Sequence, residues 1–257
     1  MKNLKHVVGV VALSGVLAIG PAAMASTTPA GANDANVQAQ LAQKLQPKSE
    51  FKNAQATVEN GTVTLTGTVE SYKQKVEAEK LVRKSSKDVK NVRDLIEVAG
   101  PTISDAELEQ KLARSLTYDR VGYFDSPFNV VTLAVKNGVV TVGGEVADYP
   151  AYNDVLATVA NTKGVKDVVN EVKVAPTSNY DDSLRLRLYR AIYGDAVLRR
   201  YAIDPAKPIR ILVNNGHVAL YGKVDSPADV NIAGMRARQV FGAFSVDNHL
   251  TTGNAAR

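Results

Sequence analysis

Three stretches of the chain repeat one pattern of apolar and polar positions: Val58–Val69 (VENGTVTLTGTV), Val135–Val146 (VKNGVVTVGGEV) and Val213–Val224 (VNNGHVALYGKV). In the first, Thr62, Thr64, Thr66 and Thr68 alternate with Val63, Leu65, Gly67 and Val69. Alternation of period two predicts a half-buried strand. The Asn-Gly pair that precedes it in every copy predicts a tight hairpin whose two central residues take positive φ. The turn glycines Gly61, Gly138 and Gly216 keep step, 77 and then 78 residues apart. That interval is too long for a solenoid repeat and predicts three tandem small domains. Six residues after each turn glycine comes another, Gly67, Gly144 or Gly222, in mid-strand. A missing Cβ there marks a bulge or a close approach of backbone. The expectation is that these three face the backbone of a covering helix.

Around each hairpin the periodicity changes from two to that of a helix. Val37–Leu45, Asp105–Leu116 and Asp182–Tyr193 precede the hairpins, with apolar residues spaced for one buried face (Val37/Leu41/Leu45, Leu108/Leu112/Leu116, Leu184/Leu188/Ala191/Ile192). A second helix follows, with small apolar pairs four apart: Ala78/Val82, Val155/Val159 and Ala233/Ala237. A closing strand ends each unit (VKNVRDLIEV, VKDVVNEVKV, FSVDNHLTT). The prediction is an α/β (α+β) fold of three αββαβ sandwiches, each a three-stranded sheet covered by two helices. The units span 37–99, 103–175 and 181–252, joined at Gly100-Pro101 and Ala175–Ser178.

The N-terminus changes where such a protein is expected to act. Lys2 and Lys5 precede an apolar run from Val7 to Ile19, then Ala23-Met24-Ala25 and Ser26. This predicts a signal peptide, residues 1–25, cleaved after Ala25, and a periplasmic or secreted mature protein. Residues 26–36 are small and polar and predict a flexible tail. With no cysteine in the chain, disulfide, thiolate and lipidated-cysteine chemistry are absent. Charge is uneven: residues 178–257 hold 11 Lys and Arg against 7 Asp and Glu, whereas residues 100–177 hold 7 against 10. The basic excess sits in the third unit, and for an exported chain it does not point to nucleic acid.

Candidate chemistry is sparse. His217 and His249 lack metal-ligand spacing, and His6 leaves with the signal peptide. Gly216–Lys223 imitates a phosphate loop, but five residues separate its glycines and Val224 stands where Ser or Thr is required. No nucleophile elbow or acid–base pair stands out, so no cofactor, metal or catalytic residue is expected.

In the order helix, strand, Asn-Gly turn, strand with glycine, helix, the chain resembles the BON domain. The closing signature is Val89/Val92/Asp94/Ile96, Gly164-Val165/Val168/Asn170/Val172 and Gly242/Val246/Asn248/Leu250, with Ala243 and Phe244 standing in the third copy where valine is usual. The resemblance covers nearly the whole mature chain. It implies a non-catalytic envelope protein, with relatives that bind anionic phospholipid or act as periplasmic chaperones in osmotic and envelope stress. The partners it implies are an anionic membrane surface or unfolded secreted clients.

One helix departs from its siblings. In SLRLRLYRAIY (Ser183–Tyr193), the face opposite the core carries Leu186, Tyr189, Arg190 and Tyr193, flanked by Arg185 and Arg187. The outer residues of the first helices of the other units are polar: Gln38, Gln40, Gln43 and Lys44, then Glu107, Glu109, Gln110 and Lys111. A helix apolar on two faces packs between two bodies or meets a membrane interface. Packing on a neighbouring unit, contact with anionic lipid and client binding are the three expectations for this stripe.

Overall fold

The computed structural model describes residues 32–117, 126–203 and 208–253. The predicted signal peptide and residues 26–31 of the predicted tail lie outside them. Residues 32–36, also assigned to that tail, instead form the first turn of helix α1 (Ala32–Leu45).

Each unit builds one sheet around its hairpin. In the first, β1 (Ala54–Glu59) and β2 (Thr62–Val69) are antiparallel, with Val58 opposite Val63. After α2 (Tyr72–Arg83) the chain returns parallel to β2. This closing strand is broken in two, β3 (Asn91–Asp94) and β4 (Glu97–Val98), both paired with β2. The second unit runs α3 (Asp105–Thr117), β5 (Val130–Lys136), β6 (Val139–Val146), α4 (Tyr149–Asn161) and β7 (Asp167–Val174). The third runs α5 (Asn179–Tyr193), β8 (Arg210–Asn214), β9 (His217–Val224), α6 (Pro227–Arg238) and β10 (Ser245–Thr252). In all three the hairpin's second strand is central, antiparallel to the strand before it and parallel to the one after it. A crossover helix makes the parallel return possible.

The core of each unit lies between one sheet face and its two helices. Val63, Leu65 and Val69, then Val140, Val142 and Val146, then Val218, Leu220 and Val224 are all buried, as the period-two pattern requires. The pairs Ala78/Val82, Val155/Val159 and Ala233/Ala237 face them from the second helices. Each crossover helix starts on a side-chain cap: Ser71 with Gln74 in a capping box, Asp148, and Ser226. Such caps satisfy amide donors that the helix itself leaves open.

The Asn-Gly turns have positive φ at both positions: 51° and 75°, 55° and 78°, 51° and 78°. A carboxylate from the first helix clamps each of them. Asp34 accepts from the amides of Asn60 and Gly61 (2.7 and 3.0 Å), Asp105 from Asn137 and Gly138 (2.8 and 2.9 Å), and Asp181 from Asn215 and Gly216 (both 2.9 Å). Two charge-assisted bonds at one turn fix the first helix to the hairpin.

The mid-strand glycines correct an expectation. Gly67, Gly144 and Gly222 have φ of 101°, 104° and 134°, and none faces a helix. A Cβ on Gly144 would overlap the Val130 carbonyl oxygen and lie 2.9 Å from its carbon; at Gly67 and Gly222 the carbonyls of Asn53 and Pro208 take that place. The close neighbour is the residue entering the adjacent antiparallel strand. The alternation alone does not distinguish these two sources of crowding.

The Asn or Asp of the closing signature has a local role. Asp94, Asn170 and Asn248 accept from the amides of Ile96, Val172 and Leu250 at 2.9, 3.1 and 3.2 Å. Asn170 also donates to the Tyr152 hydroxyl, and Asn248 to the Val230 carbonyl, tying the strand to the crossover helix.

Candidate functional site

The six residues singled out on α5 do not share one surface. Arg185 is buried, donating to the Val213 carbonyl (2.8 Å) and to Asp182 (2.5 Å). Tyr193 is buried as well, its hydroxyl donating to the Ile209 carbonyl at 2.7 Å, and burial pushes its pKa up. Both were expected on the outer face; both belong to the inner wall. On a wheel Arg185 lies at the edge of the core-facing arc, where a long side chain can turn inward. Tyr193 lies on the opposite side, but it is the last residue of α5, and its ring turns in to bond the Ile209 carbonyl.

Of the other four, Tyr189 lies against the second unit. Its ring is 6.3 Å from Phe128, which itself packs on the third unit's core, and Arg210 donates to the Asn129 carbonyl nearby (2.6 Å). The neighbouring-unit expectation thus holds for this edge of the stripe. Leu186, at 53 % exposure, and Arg190 remain open to solvent. Arg187 leans the other way, toward the loop between α6 and β10, with a terminal nitrogen beside Gly242 and its Nε buried without a hydrogen-bond partner.

That loop was not anticipated as a site. Phe241 and Phe244 are 93 % and 70 % exposed. Tyr180 stacks on Phe244 at 5.8 Å and donates to the Gly242 carbonyl (2.6 Å), and His217 meets the same ring edge-on. An aromatic ledge on a loop carries no periodicity, and only its rings hint at it in the sequence.

The third unit also ties a buried carboxylate to a half-exposed arginine. Asp229, inside the start of α6, accepts from Arg200 (2.6 Å), Tyr201 (2.9 Å) and Ser226 (2.8 Å). Burial works to raise its pKa, but bonds from Ser226 and Tyr201 and the Arg200 charge outweigh it and hold the carboxyl below its usual range. Arg200 and Tyr201 come from the 3-10 turn Leu198–Ala202, so these bonds anchor the turn to α6. Among the described residues no group of three or more His, Asp or Glu side chains is placed to hold a metal ion. None of their helices is long and apolar enough to cross a membrane.

A family model, the BON domain, matches at three places: residues 33–100, 104–176 and 195–254. The chain belongs to the BON domain family. BON domains are phospholipid-binding modules of envelope and osmotic-stress proteins and are in general non-catalytic. Proteins that contain them are typically periplasmic or envelope-associated. The third match begins after α5, although that helix fills the same core slot in its unit as α1 and α3 do in theirs. No curated protein matches the chain. Among solved structures it is similar to CdsD, a structural protein of the type III secretion system of Chlamydia trachomatis, at 13 % identity and a TM-score of 0.25, over 85 % of this chain and 92 % of that one. The C-terminal domain of CdsD gives 14 % identity and the same TM-score, over 84 % and 96 %. Likeness at this level carries no argument here.

Proposed function

We propose that this BON protein is a non-enzymatic component of the envelope that binds the surface of anionic phospholipid membranes through its third unit, in osmotic or envelope stress and on the periplasmic side. The observation that carries the reading is the contrast among the three first helices. The outer sides of α1 and α3 present glutamine, glutamate and lysine, whereas α5 presents an exposed Leu186 with Arg190 and the partly exposed Arg187 beside it. Leucine at an interface seeks the acyl boundary and arginine the phosphate. The basic excess of residues 178–257 supports the same orientation. Each basic residue near an anionic surface contributes about 1 kcal/mol, so Arg190 and the partly exposed Arg187 supply at most roughly 2 kcal/mol and apolar contact must supply the rest.

Co-sedimentation with neutral and anionic vesicles tests the reading, comparing wild type with Arg187→Glu/Arg190→Glu. Arg185 is left untouched because it is buried. Wild type should pellet with anionic vesicles alone, and the charge-reversed protein should stay in solution. Equal binding by the two proteins overturns the assignment to α5.

A further inference from the structure

Phe241 and Phe244 occupy places that are lysines in the sister units. The amide of Phe244 donates to the carbonyl of the turn glycine Gly216 at 2.8 Å, as Lys90 does to Gly61 (2.8 Å) and Lys166 to Gly138 (2.9 Å). The side chains superpose in role as well: the Lys90 and Lys166 stems lie over Gly61 and Gly138, and the Phe244 ring lies over Gly216. Phe244 therefore answers to these lysines and not to the signature valine. Three residues earlier the same exchange recurs. Phe241 precedes Gly242 (φ 97°) as Lys163 precedes Gly164 (φ 101°), and Lys87 stands at that offset in the first unit. Two lysine positions have become the two most exposed aromatic residues among those described.

Nothing in the fold of the third unit requires the exchange. Neither ring enters its core, and the sister units form the same hairpin, crossover helix and closing strand with lysine at both positions. Two rings held on a tight turn, with Tyr180 stacked behind Phe244 and Arg187 alongside, present a small rigid apolar tip beside a cation. Two phenylalanines offer far less area than the roughly 1,200–2,000 Å² of a stable protein interface, which argues against a second copy as the occupant. A bilayer interface asks for less: a few aromatic rings at headgroup depth with cations beside them.

We infer that the Phe241–Phe244 loop is an insertion tip that enters the interfacial layer of an anionic phospholipid bilayer. The inference rests on the membrane reading above and assigns the apolar contact which that reading needs. Arg187, shared by α5 and the loop, joins the tip to the basic side of the helix.

The chain has no tryptophan, so Phe241→Trp and Phe244→Trp each create a single fluorescent reporter. Tyr149→Trp, on an exposed ring of the second unit, serves as the control. With vesicles of phosphatidylcholine and phosphatidylglycerol in equal parts, the two tip reporters should shift to the blue and be quenched by lipid brominated on its acyl chains. The control should do neither. Phe241→Gln/Phe244→Gln removes both rings without adding charge and should fold as wild type does, since neither ring enters the core, yet bind these vesicles at least about tenfold more weakly. If wild type pellets with the vesicles while the tip reporters keep the emission of water-exposed tryptophan, or the double glutamine variant binds equally well, the tip is refuted and the membrane reading stands. If wild type binds no vesicle, both fall together. If the double glutamine substitution converts a dimer to a monomer in sedimentation, the tip is a self-association surface and the inference is overturned.

Discussion

Replacing Gly144 by alanine tests the link between the repeated strand glycine and the stability of a unit. Its φ of 104° lies where only glycine is comfortable, and holding another residue there costs of order 1–3 kcal/mol. The new Cβ would also overlap the Val130 carbonyl oxygen and come within 3.2 Å of the Val131 Cα, so the start of β5 must move away from β6. Overpacking of that kind costs a further 1–3 kcal/mol or so. The expected loss is about 4 kcal/mol, against roughly 4–11 kcal/mol for a unit of this size at 0.05–0.15 kcal/mol per residue. For such a unit that is a fall in melting midpoint of about 15–30 °C. Gly143 next to it is the control: the one tight contact of a Cβ there is the Thr132 hydroxyl at 3.0 Å, on a side chain that can rotate, with Glu171 at an ordinary 3.7 Å. Gly143→Ala should cost less than about 1 kcal/mol. Calorimetry of the whole chain gives the midpoints, and hydrogen exchange read by mass spectrometry assigns the shifted transition to the second unit. If Gly144→Ala melts with wild type, or the two alanine variants melt together, the close backbone approach does not govern stability.

Two further outcomes follow from the clamps at the turns. Asp181→Ala removes the acceptor of two amides from a buried site and should destabilise the third unit by about 3 kcal/mol in urea unfolding; a loss under about 1 kcal/mol would show that the clamp is dispensable. Acid should loosen the protein in a defined direction. Hydrogen bonds from the Gly138 and Asn137 amides hold the Asp105 carboxyl below the usual carboxylate range, and Asp195 and Asp229 are lowered too. A depressed carboxylate stabilises fully above its unfolded pKa and loses that contribution as pH falls through the folded one. Stability should therefore hold steady from neutrality to about pH 5 and decline below about pH 4. Asp94, raised by burial, works in the opposite sense, so a melting midpoint that climbs steadily on acidification would mean that its effect dominates.

Much of the fold was legible because its signals are local. Asn-Gly dictates positive φ whatever surrounds it, and the buried pairs four apart on α2, α4 and α6 follow from helix geometry. What escaped depends on partners distant along the chain. Asp34, Asp105 and Asp181 look like ordinary acidic residues at helix starts; only the tertiary structure brings them to turns 26–35 residues away. On α5 the wheel gave the correct core residues but misplaced Arg185 and Tyr193. A wheel assigns an angle to Cα, whereas Arg185 at the edge of the buried arc and Tyr193 at the helix end reach backbone carbonyls with their long side chains. The aromatic tip escaped for a different reason: a loop has no period, and its significance lies in its register against Lys90 and Lys166.

The central claim is that the third BON unit holds this protein at an anionic membrane surface. Its most direct test is the affinity of the wild-type chain for vesicles with and without anionic lipid, measured as salt is raised. Electrostatic attraction by Arg187 and Arg190 together with partial apolar insertion predicts binding near the micromolar range, about −8 kcal/mol, to anionic vesicles only. That binding should weaken steeply as the Debye length falls from ~10 Å toward ~3 Å. Equal affinity for neutral and anionic vesicles, or no binding to either at low salt, would contradict the account.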